Sequence, residues 1–267
     1  MTAIPASDIP SLSLLYKLHK LAPTTPSRLV AGATSAHNDR IGLFRGDITH
    51  LAVDAIVNAA NTSLMGGGGV DGAIHRAAGR QLVEECATLG GCETGSAKIT
   101  NAYKLPSDKV IHAVGPVYND AHPLRSEEKL AGCYKTALEL AVQHGVRTVA
   151  FSGISTGVYG YPSLDAAMVA CGVVKTFLET EEGRQGIEKV VFVTFLDKDV
   201  RAYNAVLPRF FPPASEAGLS ERSTEDSAAE AEAEAKAQQL PDVPTTDPAG
   251  NEHQHTSKKQ KQDGDDI

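Results

Sequence analysis

Cysteine is scarce in this 267-residue chain, and tryptophan is absent. The four cysteines, Cys86, Cys92, Cys133 and Cys171, include no C-x-x-C pair and no Cys–His cluster with zinc-finger spacing. Reduced thiols in a cytoplasmic or nuclear protein are the simplest expectation, and no metal is expected. No apolar run approaches the ~18–20 residues that a membrane helix needs. The N-terminus lacks a basic region leading into a long apolar stretch, so secretion is not expected. The 24 glycines have no collagen period.

Charge is unevenly spread. From Ala214 to Ile267 there are 13 acidic and 5 basic residues, which accounts for the whole net charge of −8. The rest of the chain is formally neutral. It lacks the broad basic footprint of a nucleic-acid binder, and neither nucleic acid nor membrane is expected as a partner. Nothing in the sequence calls for an obligate dimer, so a monomer is expected. No aromatic residue follows Phe211. The run Ser227–Gln239 is rich in Ala and Glu but has no apolar stripe, so it cannot offset the entropy of ordering. The chain accordingly divides into an N-terminal extension (1–36), a body (37–213) and an acidic tail (214–267) expected to be disordered.

Leu14, Leu15, Leu18 and Leu21 recur at helical spacing and predict a helix over Leu12–Leu21, packed on the body. The body alternates. Ile41–Ile48, Ala55–Asn58, Lys109–Val117, Thr148–Ser152 and Val190–Leu196 read as strands, with Ser96–Tyr103 a weaker sixth. Asp71–Leu89, Ser126–His144, Leu164–Thr180 and Val200–Phe211 read as helices. Such alternation predicts an α/β sandwich on a mixed or largely parallel sheet. Ligands of such sheets bind beyond the carboxyl ends of strands. The loops after Val57, Ser152 and Phe195 are therefore the places to look.

Two segments there carry chemistry. The first is Asn58–His75, NAANTSLMGGGGVDGAIH. Gly66 to Gly69 open straight into a predicted helix. Glycine admits positive φ and close backbone approach, and a helix N-terminus offers free N–H groups, so the segment predicts a phosphate cradle. Gly67, Gly69 and Gly72 fit the dinucleotide fingerprint only in spacing, because Gly66 lies eight residues beyond Asn58 instead of directly after the strand. Asp71 is out of place beside an anion. It is either a first-turn acid on the helix dipole or a base that orients a water. Asn58 and Asn61 can bond ribose hydroxyls or simply shape the turn. His75 follows Asp71 by one helical turn and shares its face.

The second segment is Phe151–Tyr161, FSGISTGVYGY. Gly153 to Gly157 fit the G-x-S-x-G nucleophile elbow, with Ser155 as nucleophile. The only histidines after Ser155 are His253 and His255, in the acidic tail, so the triad order fails within the body. A second phosphate loop fits better, and two such loops suit a diphosphate. Asp47 and Ile48 at one strand end, and Phe195 at another, can serve an adenine through its amine and its face. Alone they read as a turn acid and a core ring.

In order and spacing these segments resemble the MacroD-type branch of the macro domain. The resemblance rests on Gly46–Gly79, on Thr94–Pro116 (TGSAKITNAYKLPSDKVIHAVGP) and on Ile154–Pro162 (ISTGVYGYP), and it spans about 41–211. It implies a three-layer α/β/α sandwich with ADP-ribose in a deep cleft. Asp47, with Ile48 beside it, would bond the adenine amine, with Phe195 near the ring. Gly66, Gly67, Gly68, Gly69 and Val70 would form the first phosphate loop, and Ser155, Thr156, Gly157, Val158, Tyr159 and Gly160 the second. Asn58 would lie in the same pocket, Asn61 at the distal ribose, and Asp71 would be the catalytic acid. Ser152-Gly153 departs from the family pattern and bears on substrate preference. The implied activity is hydrolysis of esters at the distal ribose, on O-acetyl-ADP-ribose or on mono-ADP-ribosylated protein Asp and Glu, without cofactor. The alternatives are a non-catalytic reader of ADP-ribose and an ADP-ribose 1″-phosphate phosphatase. The string of the poly-ADP-ribose glycohydrolase family is missing.

Overall fold

A computed structural model describes residues 3–214. Two short strands, β1 (Ile4–Pro5) and β3 (Leu51–Ala52), pair in parallel. The other six are β2 (Ile41–Arg45), β4 (Ala55–Ala60), β5 (Ala97–Asn101), β6 (Lys109–Val114), β7 (Thr148–Phe151) and β8 (Lys189–Thr194). They form one sheet in the order β2-β8-β7-β4-β6-β5. Neighbours are parallel except β5, which runs antiparallel to β6 at one edge. The sheet is therefore mixed, as the sequence predicts.

Its inner strands are apolar almost throughout because both faces are covered. Side chains alternate between the faces. Ala55, Val57, Ile111, Ala113, Val149, Phe151, Val190 and Phe192 pack toward α4 (Pro123–Gln143), α5 (Ser163–Glu179) and α7 (Asp197–Phe210). Ile56, Ala60, Val110, Val114, Ala150, Val191 and Val193 pack toward α2 (Gly69–Ala78) and α3 (Arg80–Thr88). The result is a three-layer α/β/α sandwich. By the same alternation Asn58 and His112, paired across β4 and β6, point to the α2–α3 side and are fully buried there.

Several boundaries differ from the sequence reading. The single helix expected over Asp71–Leu89 starts two residues earlier and is two helices, because Gly79 adopts φ 84°, ψ −179° and breaks the ladder. The strand expected over Ile41–Ile48 ends at Arg45. Asp47 then caps a 3-10 turn, Ile48–His50, through its carboxylate. The strand expected to reach Val117 stops at Val114. The helix before β7 begins at Pro123, where a missing N–H costs nothing. The last helix begins at Asp197, with Asp197 and Asp199 in its first turn. A further short helix, α6 (Glu181–Gly186), was not expected; Thr180 caps it. The tail lies outside the described residues, apart from Ala214.

The N-terminal segment packs into the body. Its helix, α1 (Leu12–Lys17), is shorter than the leucine pattern suggests and gives way to His19 at φ 55°. Ile9, Leu12 and Leu21 are nevertheless buried. Lys189 Nζ, on β8, donates to the carbonyls of Ala6 (2.7 Å) and Ile9 (2.6 Å). Tyr16 Oη donates to the Phe211 carbonyl at 2.7 Å, and Asn38 Nδ2 to that of Pro212 at 2.9 Å. Leu12 sits in the same core as Tyr134 and Phe192, fully buried. Leu12→Ala is therefore expected to destabilise the whole domain by ~2–5 kcal/mol, as a core truncation does. A urea midpoint within error of wild type would show that the segment is not part of the folded unit.

Candidate active site

The strand order places the sequence-predicted residues along one edge. Crossing the sheet, β2 leads into Asp47 and Ile48, and β8 into Phe195. Next, β7 leads into Ser155–Tyr159, β4 into Asn61 and the glycine run, and β6 into Gly115. All of these follow the carboxyl ends of parallel strands, where ligands of such sheets bind. Two hollows of about 380 and 450 Å³ lie elsewhere, at 121–125 and between α4, α5 and the end of α7; neither is lined by a predicted site residue.

The glycine run is shaped by conformations that L side chains seldom adopt. Gly66 has φ 85° and Gly69 φ 57°. No side chain caps the N-terminus of α2, since its N-cap is Gly68. Its first N–H groups and the positive end of the dipole face the loop, with Gly67 and Gly68 exposed beside it. A Cβ on Gly67 would stand 3.1 Å from Asp71 Oδ2 and 3.3 Å from Asn61 Nδ2. The bare Cα of Gly67 thus lets the carboxylate and the amide converge. Gly72 has a packing duty: a Cβ there would lie 2.4 Å from the Gly67 carbonyl oxygen. Asn61 also braces the loop. Its Nδ2 donates to Gly66 O at 2.8 Å, and its Oδ1 accepts from Ser63 N at 3.0 Å and Ser63 Oγ at 2.6 Å.

Asp71 is only 4% exposed although it sits in the first turn of a helix, so a solvated dipole acid is not what the chain has built. Asn58 Nδ2 donates to Asp71 Oδ1 at 2.7 Å. His75 Nε2 lies 3.4 Å from the same oxygen, near enough for charge attraction but without hydrogen-bond geometry.

The second loop is held by its neighbours. Ser155 sits at φ 65° and is buried, with an Oγ that has no hydrogen-bond partner. A nucleophile needs a base in reach, and the hydroxyl touches none among the described residues. Lys198 Nζ donates to the Thr156 carbonyl, Tyr118 N to Tyr159 O at 2.9 Å, and Tyr161 N to Ser155 O at 2.9 Å. Gly115 was not singled out from the sequence. A Cβ on it would meet Ser155 Oγ at 2.1 Å, so the β6 loop and the second loop touch through bare backbone. Val158 is fully exposed at the tip.

At the far end Asp47 does form the turn. Its Oδ1 accepts from Thr49 N at 2.9 Å and Thr49 Oγ1 at 2.8 Å. Phe195 is half-buried next to it, because Arg45 and Thr194 are paired at the ends of β2 and β8. Sequence spacing also gave no sign that His75, Cys86 and His112 meet. They come from α2, α3 and β6, and their ligating atoms lie within 4.8 Å of one another. His112 Nε2 is 3.0 Å from Thr100 Oγ1 and 3.6 Å from Cys86 Sγ, so hydrogen bonding already occupies it. Burial pushes the Cys86 thiol up to about 11, which leaves it protonated.

With this geometry in view, comparison with known proteins assigns the class. The model of the macro domain family matches residues 57–170. A macro domain-containing protein of Chlorobaculum tepidum, CT2219, is 55% identical over 170 residues, which are 64% of this chain and 96% of that one. The chain belongs to the macro domain family. A protein named ADP-ribose glycohydrolase MACROD2, from Xenopus laevis, is 52% identical over 174 residues, 65% of this chain but only 41% of that longer relative. The crystal structure of a Trypanosoma brucei macrodomain in complex with ADP-ribose superposes with TM-score 0.59 at 42% identity, covering 70% of this chain and 75% of that one.

Burial sets the protonation of the polar pair under α2. Desolvation raises the pKa of Asp71, against smaller opposing effects from the Asn58 hydrogen bond and His75. Desolvation, helped by His75, drives His112 down to about 3, so it is neutral across the physiological range. In the unfolded chain His112 takes its proton near pH 6.5, so stability is lost as pH falls from there toward 3. One such group contributes at most ~1.4 kcal/mol per pH unit. Asp71 works in the opposite sense, since its folded form takes a proton before its unfolded form. Between pH 7.5 and 4.5 the wild type is expected to lose more stability than His112→Asn, measured by urea midpoints. Equal losses would show that His112 is not buried neutral.

Proposed function

We propose that this edge binds ADP-ribose and that the protein hydrolyses esters at the distal ribose. Its substrates on this reading are O-acetyl-ADP-ribose and mono-ADP-ribosyl groups on protein Asp or Glu. The observation that carries the reading is Asp71: a buried carboxylate with a raised pKa, oriented by Asn58, at the mouth of a glycine-rich helix N-terminus. A binding module has no use for it, because a carboxylate repels the phosphates such a loop attracts. A base profits from burial, which brings its pKa toward the working pH.

The other residues divide by chemistry. The N–H groups of Gly67–Val70 at the start of α2, and of Ser155–Tyr159, receive the diphosphate. Asp47 accepts from the adenine amine, Ile48 lines its pocket, and Phe195 stacks on the ring. Asn61 holds the distal ribose. Asp71 removes a proton from a water molecule, whose oxygen attacks the ester carbonyl carbon. The tetrahedral intermediate then collapses, and the ribose oxygen leaves with the proton that Asp71 had taken. The products are a free carboxylic acid and ADP-ribose. Where the carboxylate is attached at the anomeric carbon, its ester is also a glycosidic bond, which reconciles this chemistry with the glycohydrolase name of the relatives. The four free cysteines, three of them buried, support a reducing compartment, cytoplasm or nucleus.

Asp71→Ala is expected to bind ADP-ribose within a few-fold of wild type by calorimetry. Its turnover of O-acetyl-ADP-ribose is expected to fall by ~10²–10⁴-fold, the range lost with a general base. Wild-type binding without turnover of O-acetyl-ADP-ribose or of the protein Asp and Glu esters would make the protein a reader. Full turnover in Asp71→Ala would remove Asp71 from the chemistry.

A further inference from the structure

We infer that His112, backed by Thr100, is a positioning residue that locks the side-chain amide of Asn58 and, through it, the carboxylate of Asp71. The catalytic half of this inference rests on the role proposed above for Asp71. The geometric half does not.

The arrangement links four side chains, Asp71, Asn58, His112 and Thr100, through three contacts. Asn58 Nδ2 is 2.7 Å from Asp71 Oδ1 and 3.2 Å from His112 Nδ1. An amide nitrogen carries two hydrogens, and these two acceptors use both. His112 Nδ1 must then present its lone pair, so the ring is neutral and carries its proton on Nε2. That proton points to Thr100 Oγ1 at 3.0 Å, with Cys86 Sγ at 3.6 Å on the same side. The Thr100 hydroxyl in turn faces the Val110 carbonyl at 3.5 Å. All five residues, Cys86 included, are buried, and Asn58 and His112 have no exposed surface at all.

The orientation of the Asn58 amide is imposed. Its Oδ1 is buried with no hydrogen-bond partner, a cost that a free amide would relieve by rotating. Rotation would point Oδ1 at the Asp71 carboxylate and at the Nδ1 lone pair, two repulsive contacts. Thr100, whose hydroxyl donates to the Val110 carbonyl, is left to accept from Nε2–H, and the tautomer it thereby favours makes the costly orientation the better one. The sheet supplies the placement. Asn58 and His112 are register partners on adjacent parallel strands, and Thr100 lies diagonally across the β5–β6 ladder on the same face. The titratable groups facing Asp71 and His112 from the packed elements are His75 on α2 and Cys86 on α3.

The test is a ¹³C-carboxyl NMR titration of Asp71 in the full chain, assigned by its loss in Asp71→Asn, alongside kcat, KM and ADP-ribose affinity. In His112→Leu the Asp71 titration midpoint is expected to rise by about one pH unit, because the aligned donor to the charged form is lost. A kcat reduction of about tenfold is expected, with affinity unchanged. His112→Asn places an Oδ1 acceptor near the position of Nδ1 and is expected to restore both. A role in packing alone would lower stability in both variants and leave the midpoint where it was. That result, or an Asn variant no better than Leu, overturns the inference. If His112→Leu does not fold, Thr100→Val decides: a smaller upward shift supports the relay and no shift overturns it. Because the titration needs no substrate, a shifted midpoint in a protein that turns over no ester would leave the relay standing and refute only the catalytic reading.

Discussion

The hydrogen bond from Asn58 Nδ2 to Asp71 Oδ1, 2.7 Å long and out of contact with water, is the constraint on which this site depends. It joins strand β4 to the first turn of α2, in a layer whose other polar members among the described residues include His75, His112 and Thr100. It also tolerates a carboxylate at a depth where desolvation opposes its charge. Much of the local architecture serves that bond. Gly67 carries no side chain where one would separate Asp71 from Asn61, and Gly72 carries none where one would push the loop off the helix. Burial of the Asp71 carboxylate opposes its charge, which is the kind of cost that functional sites carry when a group is held away from its preferred solvent.

The second half of the edge follows a different logic. Ser155 and its neighbours are fixed by backbone contacts: Lys198 on the Thr156 carbonyl, Tyr118 on that of Tyr159, and the bare Gly115 against the Ser155 hydroxyl. An anion cradle needs its N–H groups held at fixed angles, and contacts to carbonyls achieve this without adding a negative charge. The start of α7 holds this loop through Lys198, three residues after Phe195. Phe195 and the Ser155–Tyr159 loop are thereby parts of one braced unit.

What could be read from the sequence was local chemistry. Four glycines opening into a helix, an acid two residues after them and a glycine-flanked serine loop announce themselves within a few residues, as do the alternating strands of a sandwich. What escaped depends on partners far apart in the chain. His112 reads as one polar residue in the apolar run Val110–Val114, and its partner Asn58 lies 54 positions away. The polar residue was visible, but the register that gives it a function was not. The break between α2 and α3 escaped for the opposite reason. Gly79 sits inside a continuous helical pattern, and only its positive φ separates the two helices. The N-terminal segment read as an extension with one helix packed on the body, and so it is, but its anchors include the half-buried Lys189, which is remote in sequence.

On the proposed mechanism Asp71, its pKa raised by burial and its carboxylate held by Asn58, must lose its proton before it can activate water. The most direct measurement is kcat for O-acetyl-ADP-ribose at saturation, from pH 8 down to 4. A fall on the acid side is expected, through a single ionisation whose midpoint lies above the ordinary carboxylate range, while ADP-ribose affinity stays level across the same interval. A midpoint in the ordinary range, or turnover independent of pH, would contradict it.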